Sequence, residues 1–368
     1  MKKSLSSRSI EMIKEKTGQL FVAGFEGTNP PPALLKDLEH EELSGVILFK
    51  RNIGSPEELA ALNKSFYDHF PNGPAPIISV DQEGGRVQRL SSPWQVWPSA
   101  RILGDRGDFG LIREVGHAMG REMAAAGFNL DFAPVLDTHT NPENPIIGDR
   151  AFSSQPSQVA PMALAFARGL RGSGVAPCGK HFPGHGDTFL DSHETLPYVE
   201  HDEERIRKVE LLPFQTAATS LPAIMTAHVV FPALDGSNPA TLSPGILQGI
   251  LREEFGFTGL IVSDDLNMKA VAERYSPGDL AVRCLRAGVD LMLVCRDLER
   301  LEAARKGVMD EVERDDTFGR VVEDAWRRVR DFRRGLKRNY PDLETMKRLM
   351  KEGEAGGPVD KLLSELRR

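Results

Sequence analysis

Cysteine is scarce in this chain. Cys178, Cys284 and Cys295 are the only three in 368 residues, and no CxxC pair occurs. An odd number at wide spacing excludes a disulfide framework and a zinc knuckle, and leaves reduced thiols in a core. Positive charge is not in excess either. Lys and Arg number 46 against 53 Asp and Glu, for a net charge of −7. A nucleic-acid binder would carry a basic stripe, so neither nucleic acid nor an anionic membrane is an expected partner. No apolar run approaches the roughly 18 residues of a membrane span. Met1-Lys2-Lys3 could open a signal peptide, but the stretch from Ser4 to Lys16 is polar and charged and has no apolar core, so the expected location is the cytoplasm. No G-x-G-x-x-G turn follows the first apolar run, which counts against a Rossmann-type sheet and its dinucleotide. No cofactor is expected.

What the chain does have is alternation. Apolar runs rich in β-formers recur at Gln19–Phe25, Gly45–Phe49, Pro76–Val80, Phe128–Leu136, Val175–His181, Ala223–Val230, Gly259–Ser263 and Val289–Val294. Longer segments of helical periodicity lie between them, some opening on cap signals such as Ser55-Pro56 and Ser243-Pro244. Strands that are apolar on both faces read as parallel and buried. Eight strand–helix units predict a single (β/α)₈ barrel over residues 1–300, followed by a charged, C-terminal helical extension over 301–368. With 40% apolar residues the chain is long enough to bury a core unaided, and a monomer is expected.

Polar residues gather where the apolar runs end: Glu26, Lys50-Arg51, Asp81-Gln82-Glu83, Asp137, Lys180-His181, His228, Asp264-Asp265 and Arg296. Charge directly after a buried strand is costly unless the strand ends at a wet site. In a barrel the C-terminal strand ends converge on one mouth, where such enzymes work. Any one of these residues is as readily explained as a helix cap; eight together point to a site.

Three stretches carry chemistry. The first is Lys180–Pro197, KHFPGHGDTFLDSHETLP, with three histidines, two aspartates, two glycines and two prolines. No helix runs through such a composition, so a long loop over the mouth is expected. Asp191 and His193 are two residues apart and project to one side of an extended backbone. A carboxylate beside an imidazole fixes its tautomer and supports its protonated form, which suits an acid/base dyad. His181, His185, Asp187 and His193 are equally a possible zinc set, and histidines bonded to backbone are the bland reading. The stretch alone does not choose. The second is Gly259–Met268, GLIVSDDLNM, where paired carboxylates end a strand. An anomeric carbon needs one anionic oxygen held close to form a glycosyl-enzyme. Alternation does not say whether Asp264 or Asp265 faces the mouth; Asp265 suits a cap of the next helix. The third is Ile77–Leu90, IISVDQEGGRVQRL. Asp81 can accept from two vicinal sugar hydroxyls. Arg86 and Arg89 would position it, bind substrate or form structural ion pairs. Gly84-Gly85 is only a faint phosphate cradle.

Together these segments resemble glycoside hydrolase family 3, in its bacterial β-N-acetylglucosaminidase branch. KHFPGHGDT followed by DSH, SDDL-x-M, VDQEGGRVQRL and MTAHVVFPALD (Met225–Asp235) carry the resemblance, over roughly residues 15 to 300. It implies a two-step retaining hydrolysis with Asp264 as nucleophile and His193 as acid/base, partnered by Asp191. It implies that Asp81, Arg89, Arg150, Lys180 and His181 hold the sugar, and that His185 and Asp187 shape the loop instead of binding metal. The implied substrate is GlcNAc-β-1,4-anhydro-N-acetylmuramic acid, with or without peptide, in cell-wall recycling. Ala151 departs from the serine that many relatives have. The sandwich domain of many members is not expected in a chain of this length. The competing readings are a metal-dependent hydrolase using the loop histidines, a phosphorylase in which phosphate replaces water, and a non-catalytic sugar-binding barrel.

Overall fold

The computed structural model describes residues 16–70, 72–188, 196–352 and 357–366. Eight parallel strands close on themselves: β1 (Phe21–Ala23), β2 (Gly45–Leu48), β3 (Ile77–Val80), β4 (Leu130–Asp131), β5 (Ala176–Phe182), β6 (Ala223–Thr226), β7 (Leu260–Asp265) and β8 (Leu291–Val294). Closure is made by β8 against β1, with Phe21 opposite Met292 and Ala23 opposite Val294. Every predicted apolar run overlaps one of these strands. Their inward and outward faces are both buried, as a sheet wrapped by helices requires.

Two strands depart from their predicted extents for physical reasons. The run Phe128–Leu136 keeps ladder pairing only at Leu130–Asp131, because Pro134 has no N–H to donate. Pairing resumes as an isolated bridge between Val135 and Lys180. The run Gly259–Ser263 instead continues as strand through Asp264 and Asp265.

The helices form as their ends dictate. Helix α1 covers Pro32–Glu39 and α2 covers Pro56–Asp68. At the start of α2, Glu58 N–H donates to Ser55 Oγ (3.2 Å) and Ser55 N–H donates to Glu58 Oε2 (2.7 Å), with Pro56 in the first turn. This is a reciprocal cap that satisfies two otherwise orphaned donors. Helices α3 (Ala100–Arg106), α4 (Phe109–Ala126), α5 (Pro156–Gly172), α6 (Glu203–Lys208) and α7 (Leu211–Ala217) follow. The helix predicted after Ser243-Pro244 is α8 (Gly245–Glu254), wound wider than an α-helix in π fashion. Helices α9 (Lys269–Ala272), α10 (Pro277–Ala287), α11 (Leu298–Arg314) and α12 (Asp316–Gly335) complete the ring, and α13 (Leu343–Glu352) and α14 (Pro358–Leu366) come last. Leu301, Ala304, Val308, Phe318, Val322, Ala325 and Val329 of α11 and α12 belong to the same core as the strands. Among the described residues no helix is long and apolar enough to cross a membrane.

Candidate active site

At the C-terminal ends of the strands a cavity of 190 Å³ opens, walled by Asp81, Glu83, Arg89, Arg150, Lys180 and His181 on one side and by Asp264, Asp265, Met268 and Cys295 on the other. The substrate-binding candidates from sequence therefore meet in one place with the candidate nucleophile. Asp191 and His193 lie outside the described residues.

Lys180 leaves β5 buried and reaches two carboxylates at once. Its Nζ donates to Asp81 Oδ1 (2.8 Å) and to Glu83 Oε1 (2.6 Å). Arg89 NH2 donates to the other oxygen of Asp81 (3.2 Å). Arg150 forks onto Glu83, Nε to Oε2 and NH2 to Oε1, both at 2.8 Å. Burial by itself would push the Asp81 carboxyl up, but Lys180 and Arg89 override it and hold Asp81 well below the usual carboxylate range. For Glu83 burial opposes ionisation in the same way, and Arg150 with Lys180 brings it down to about 2. Lys180 is in turn held above its ordinary value against burial, by Asp81 and Glu83. These groups stay charged across the range in which a cell works. Such a buried set, each charge answered by another, is preorganised to exchange hydrogen bonds with sugar hydroxyls.

His181 has a defined tautomer. Arg150 NH2, which can only donate, faces His181 Nε2 at 3.3 Å, so Nε2 accepts. Nδ1 therefore carries the hydrogen and donates to Asp137 Oδ2 (2.7 Å). Asp137 Oδ1 also accepts from the backbone N–H of His185 (2.7 Å), tying the first turn of the loop to the segment that follows β4. Burial, and after it the neighbouring His181, lowers His185 to about 4.

On β7 the two carboxylates divide their work. Asp265 Oδ1 accepts from Asn267 N–H (3.0 Å) and from Cys295 N–H (3.0 Å), so it fastens the turn after β7 to the end of β8. Burial raises its carboxyl. Asp264 lines the cavity, and its Oδ1 accepts from Asp265 N–H (2.7 Å). The β7–β8 pairing shifts register between Val262 and Asp265, and the β5–β6 pairing shifts between Gly179 and Phe182. Irregular pairing at the rim of a barrel re-aims side chains. Both shifts fall on the residues that face the cavity.

Several sequence-level candidates have other employment. Arg86 is tied to the 145–149 segment through Pro145 O (3.2 Å), Ile147 O (3.2 Å) and Asp149 Oδ1 (3.1 Å). Gly84 holds φ +90°, and a Cβ there would sit 2.2 Å from Pro98 O, so close packing, not a phosphate, explains the glycine. His185 Nδ1 meets Thr188 Oγ1 (2.8 Å), while Asp187 pairs with His201 and accepts from Thr140 Oγ1 (2.7 Å). Among the described residues no group of three or more His, Cys, Asp and Glu could hold a metal ion. Sequence reasoning placed Glu83 and Asp137 among the polar strand ends but gave neither a role of its own. Glu83 stands two positions beyond Asp81, the spacing that shares a face in extended chain, and Asp137 ends an apolar run.

Comparison with known proteins places this geometry. Residues 12–331 match the glycosyl hydrolase family 3 N terminal domain. The β-hexosaminidase of Alkalilimnicola ehrlichii is 39% identical over 319 residues, covering 83% of this chain and 90% of that protein. The family 3 β-N-acetylglucosaminidase of Paenibacillus sp. str. FPU-7 superposes with a TM-score of 0.82 at 37% identity, covering 91% of this chain and 68% of that one. NagZ from Neisseria gonorrhoeae, solved with N-trifluoroacetyl-D-glucosamine, superposes with a TM-score of 0.73 at 30% identity, covering 94% and 96%. The chain belongs to glycosyl hydrolase family 3, as a glycosidase of its β-hexosaminidase kind.

Proposed function

We propose that this enzyme is a retaining exo-β-N-acetylglucosaminidase that removes terminal β-linked GlcNAc from peptidoglycan fragments during cell-wall recycling. The observation that carries the reading is the convergence of Asp264 with Asp81, Arg89, Lys180, Arg150 and His181 on one small cavity. A 190 Å³ space suits one sugar ring, which favours release of a terminal residue over cleavage within a chain. The names of the relatives point to the same sugar: β-N-acetylglucosaminidase for the Paenibacillus protein, and an N-acylated glucosamine bound to the gonococcal one.

In this reading Asp81 accepts from vicinal hydroxyls of the ring, and Arg89, Lys180, Arg150 and His181 hold the ring and its immediate surroundings. Asp264 attacks the anomeric carbon. As its oxygen–carbon bond forms, the glycosidic bond breaks, and the imidazolium of His193 gives its proton to the leaving oxygen. A water then enters, His193 takes its proton, and hydroxide displaces Asp264 with net retention. Asp191 steadies the imidazolium. Family resemblance supports the roles of His193 and Asp191.

The test is mass spectrometry after incubation with a fluorinated GlcNAc donor that forms the intermediate but hydrolyses it slowly. The expected adduct is on the peptide containing Asp264. Label on any other side chain would sink the assignment.

A further inference from the structure

The end of β7 carries both carboxylates of the SDD stretch, yet on one side the sheet lets go of it before they are reached. The β6–β7 ladder runs from Ala223 opposite Leu260 to Met225 opposite Val262, and among the described residues it goes no further. The exit of β6 stays instead with β5: Thr226 pairs with Phe182, and Ala227 N–H donates to Phe182 O (2.7 Å). Ser263, Asp264 and Asp265 thus part from β6 where their direction matters most. On the other side Asp265 Oδ1 accepts from Cys295 N–H (3.0 Å), just past β8. His228, two residues beyond β6, spans the opening, and it is fully buried. Its Nε2 lies 3.2 Å from Asp265 O. A carbonyl only accepts, so Nε2 carries the hydrogen and donates it. Nδ1 meets Thr241 Oγ1 (2.9 Å), a hydroxyl that is also 2.8 Å from Thr226 Oγ1 and 3.0 Å from Ala227 O. The ring is therefore fixed at both nitrogens. A histidine that only fills a core needs its nitrogens satisfied by any partner at hand, whereas this one gives its Nε2–H to the residue next to Asp264.

Asp265 is thereby held from both neighbouring strands, its carbonyl by the imidazole and its carboxylate from the β8 side. Its own N–H donates to Asp264 Oδ1 (2.7 Å), so a displacement of Asp265 carries the Asp264 carboxylate with it. Attack on an anomeric carbon needs oxygen and carbon about 3–3.5 Å apart and aligned, and a shift of about 1 Å can cost on the order of 100-fold. We propose that His228 is a positioning residue for the nucleophile: its Nε2–H replaces the ladder bond that β6 no longer gives β7, and so sets where the Asp264 carboxylate lies. This rests on the assignment of Asp264 as nucleophile and adds to it the group that aims the carboxylate. The side chains that grip the ring, Asp81, Arg89, Lys180 and Arg150, are bonded among themselves and to Glu83, and do not depend on this bond. Loss of the Nε2–H therefore slows attack and spares the grip on the sugar.

Two neutral amides separate the roles of the ring nitrogens. In His228→Asn the amide stops near the place of Nδ1, and in His228→Gln it reaches the place of Nε2. Each variant is incubated with the fluorinated GlcNAc donor, and two quantities are read: the rate of covalent labelling at Asp264 and the Kd for free GlcNAc. His228→Asn is expected to lower the labelling rate about 100-fold with Kd within about twofold of wild type. His228→Gln is expected to recover the rate to within about fivefold of wild type. Nitrogen-15 spectra of the histidine-labelled wild-type enzyme, which need no variant to fold, should show the His228 hydrogen on Nε2. A hydrogen on Nδ1 alone, equal losses in the two variants, wild-type labelling by His228→Asn, or a Kd that rises in step with the lost rate would each overturn the proposal while leaving Asp264 as the labelled residue. Label found elsewhere in the wild-type enzyme would overturn the nucleophile assignment and this proposal with it.

Discussion

The two ends of the barrel put their polar side chains to different uses. At the floor, where strands begin, several long side chains bond to main chain, alongside the pairing of Arg252 and Arg328 with buried Asp290. Arg333, fully buried, donates to Ala75 O (3.0 Å) and Pro74 O (3.2 Å), Arg338 donates to Phe70 O (2.8 Å), and Asn339 donates to Phe128 O (2.7 Å) and Gly174 O (3.0 Å). At the mouth, side chains bond to side chains: Lys180 to Asp81 and Glu83, Arg150 to Glu83, Arg89 to Asp81. Bonds to strand-entry carbonyls at the floor tie segments together and are structural. Charges at the mouth can trade one another for a ligand's hydroxyls. Volume is a poor guide here, since a larger hollow of 510 Å³, lined by Arg171, Arg328, Phe332 and Lys337, lies at the floor and contains none of the site residues.

If the mouth is catalytic and the floor structural, substitutions should separate cleanly. Asp264→Ala should lower kcat by about 10⁴-fold or more while the protein still folds, since what its loss removes is chiefly the nucleophile. His193→Ala should slow a disaccharide by about 10³-fold while sparing an activated aryl glycoside, whose leaving group needs no proton; equal losses on both would argue against a proton donor. At the other end Arg333→Ala should cost about 3 kcal/mol in urea unfolding, through orphaned carbonyls and a void, while kcat of the folded fraction stays within about twofold. A loss of turnover without a loss of stability there would erase the distinction.

A pH effect sharpens it further. Burial pushes His185 down to about 4 in the folded chain, from the ordinary 6.5 that it regains when unfolded. Its neutral form is the one the fold favours, so this contribution is complete above the unfolded value and declines as pH falls toward the folded one. From about pH 7 to about pH 5 the expected loss of stability is about 2 kcal/mol. A His185→Gln variant should flatten that slope in a urea titration. Glu83, shifted down to about 2, adds its own loss only below its unfolded value of 4.5. Product analysis in phosphate buffer should give free GlcNAc; a sugar phosphate would replace water by phosphate in the second step.

Period and punctuation made the barrel legible. Each of the eight apolar runs overlaps a strand, and Ser55-Pro56 caps the helix it announces. Residue type at strand ends made the mouth legible, and with it Asp81, Lys180 and His181. What alternation could not say was which way the chemistry faces. The register shifts at Gly179–Phe182 and Val262–Asp265 fall where Lys180, His181, Asp264 and Asp265 sit, so a strict two-residue period fails at the residues that matter. The roles of Glu83 and Asp137 stayed hidden because their partners, Arg150 and His181, come from distant parts of the chain, and long-range ion pairs leave no mark in local spacing. The shortened β4 reflects Pro134, which was visible but whose effect on pairing depends on the neighbour it lacks an N–H for.

The reach of Arg333 has a consequence for biosynthesis. The carbonyls of Pro74 and Ala75, just ahead of β3, and the side chain of Gln19, just ahead of β1, receive their donors from a residue more than 250 positions later. A ribosome translating this chain exposes those acceptors long before the guanidinium that satisfies them exists. The growing polypeptide must therefore carry an unfinished base until α12 emerges, which makes the last turns of that helix the step that commits the nascent chain to its final shape.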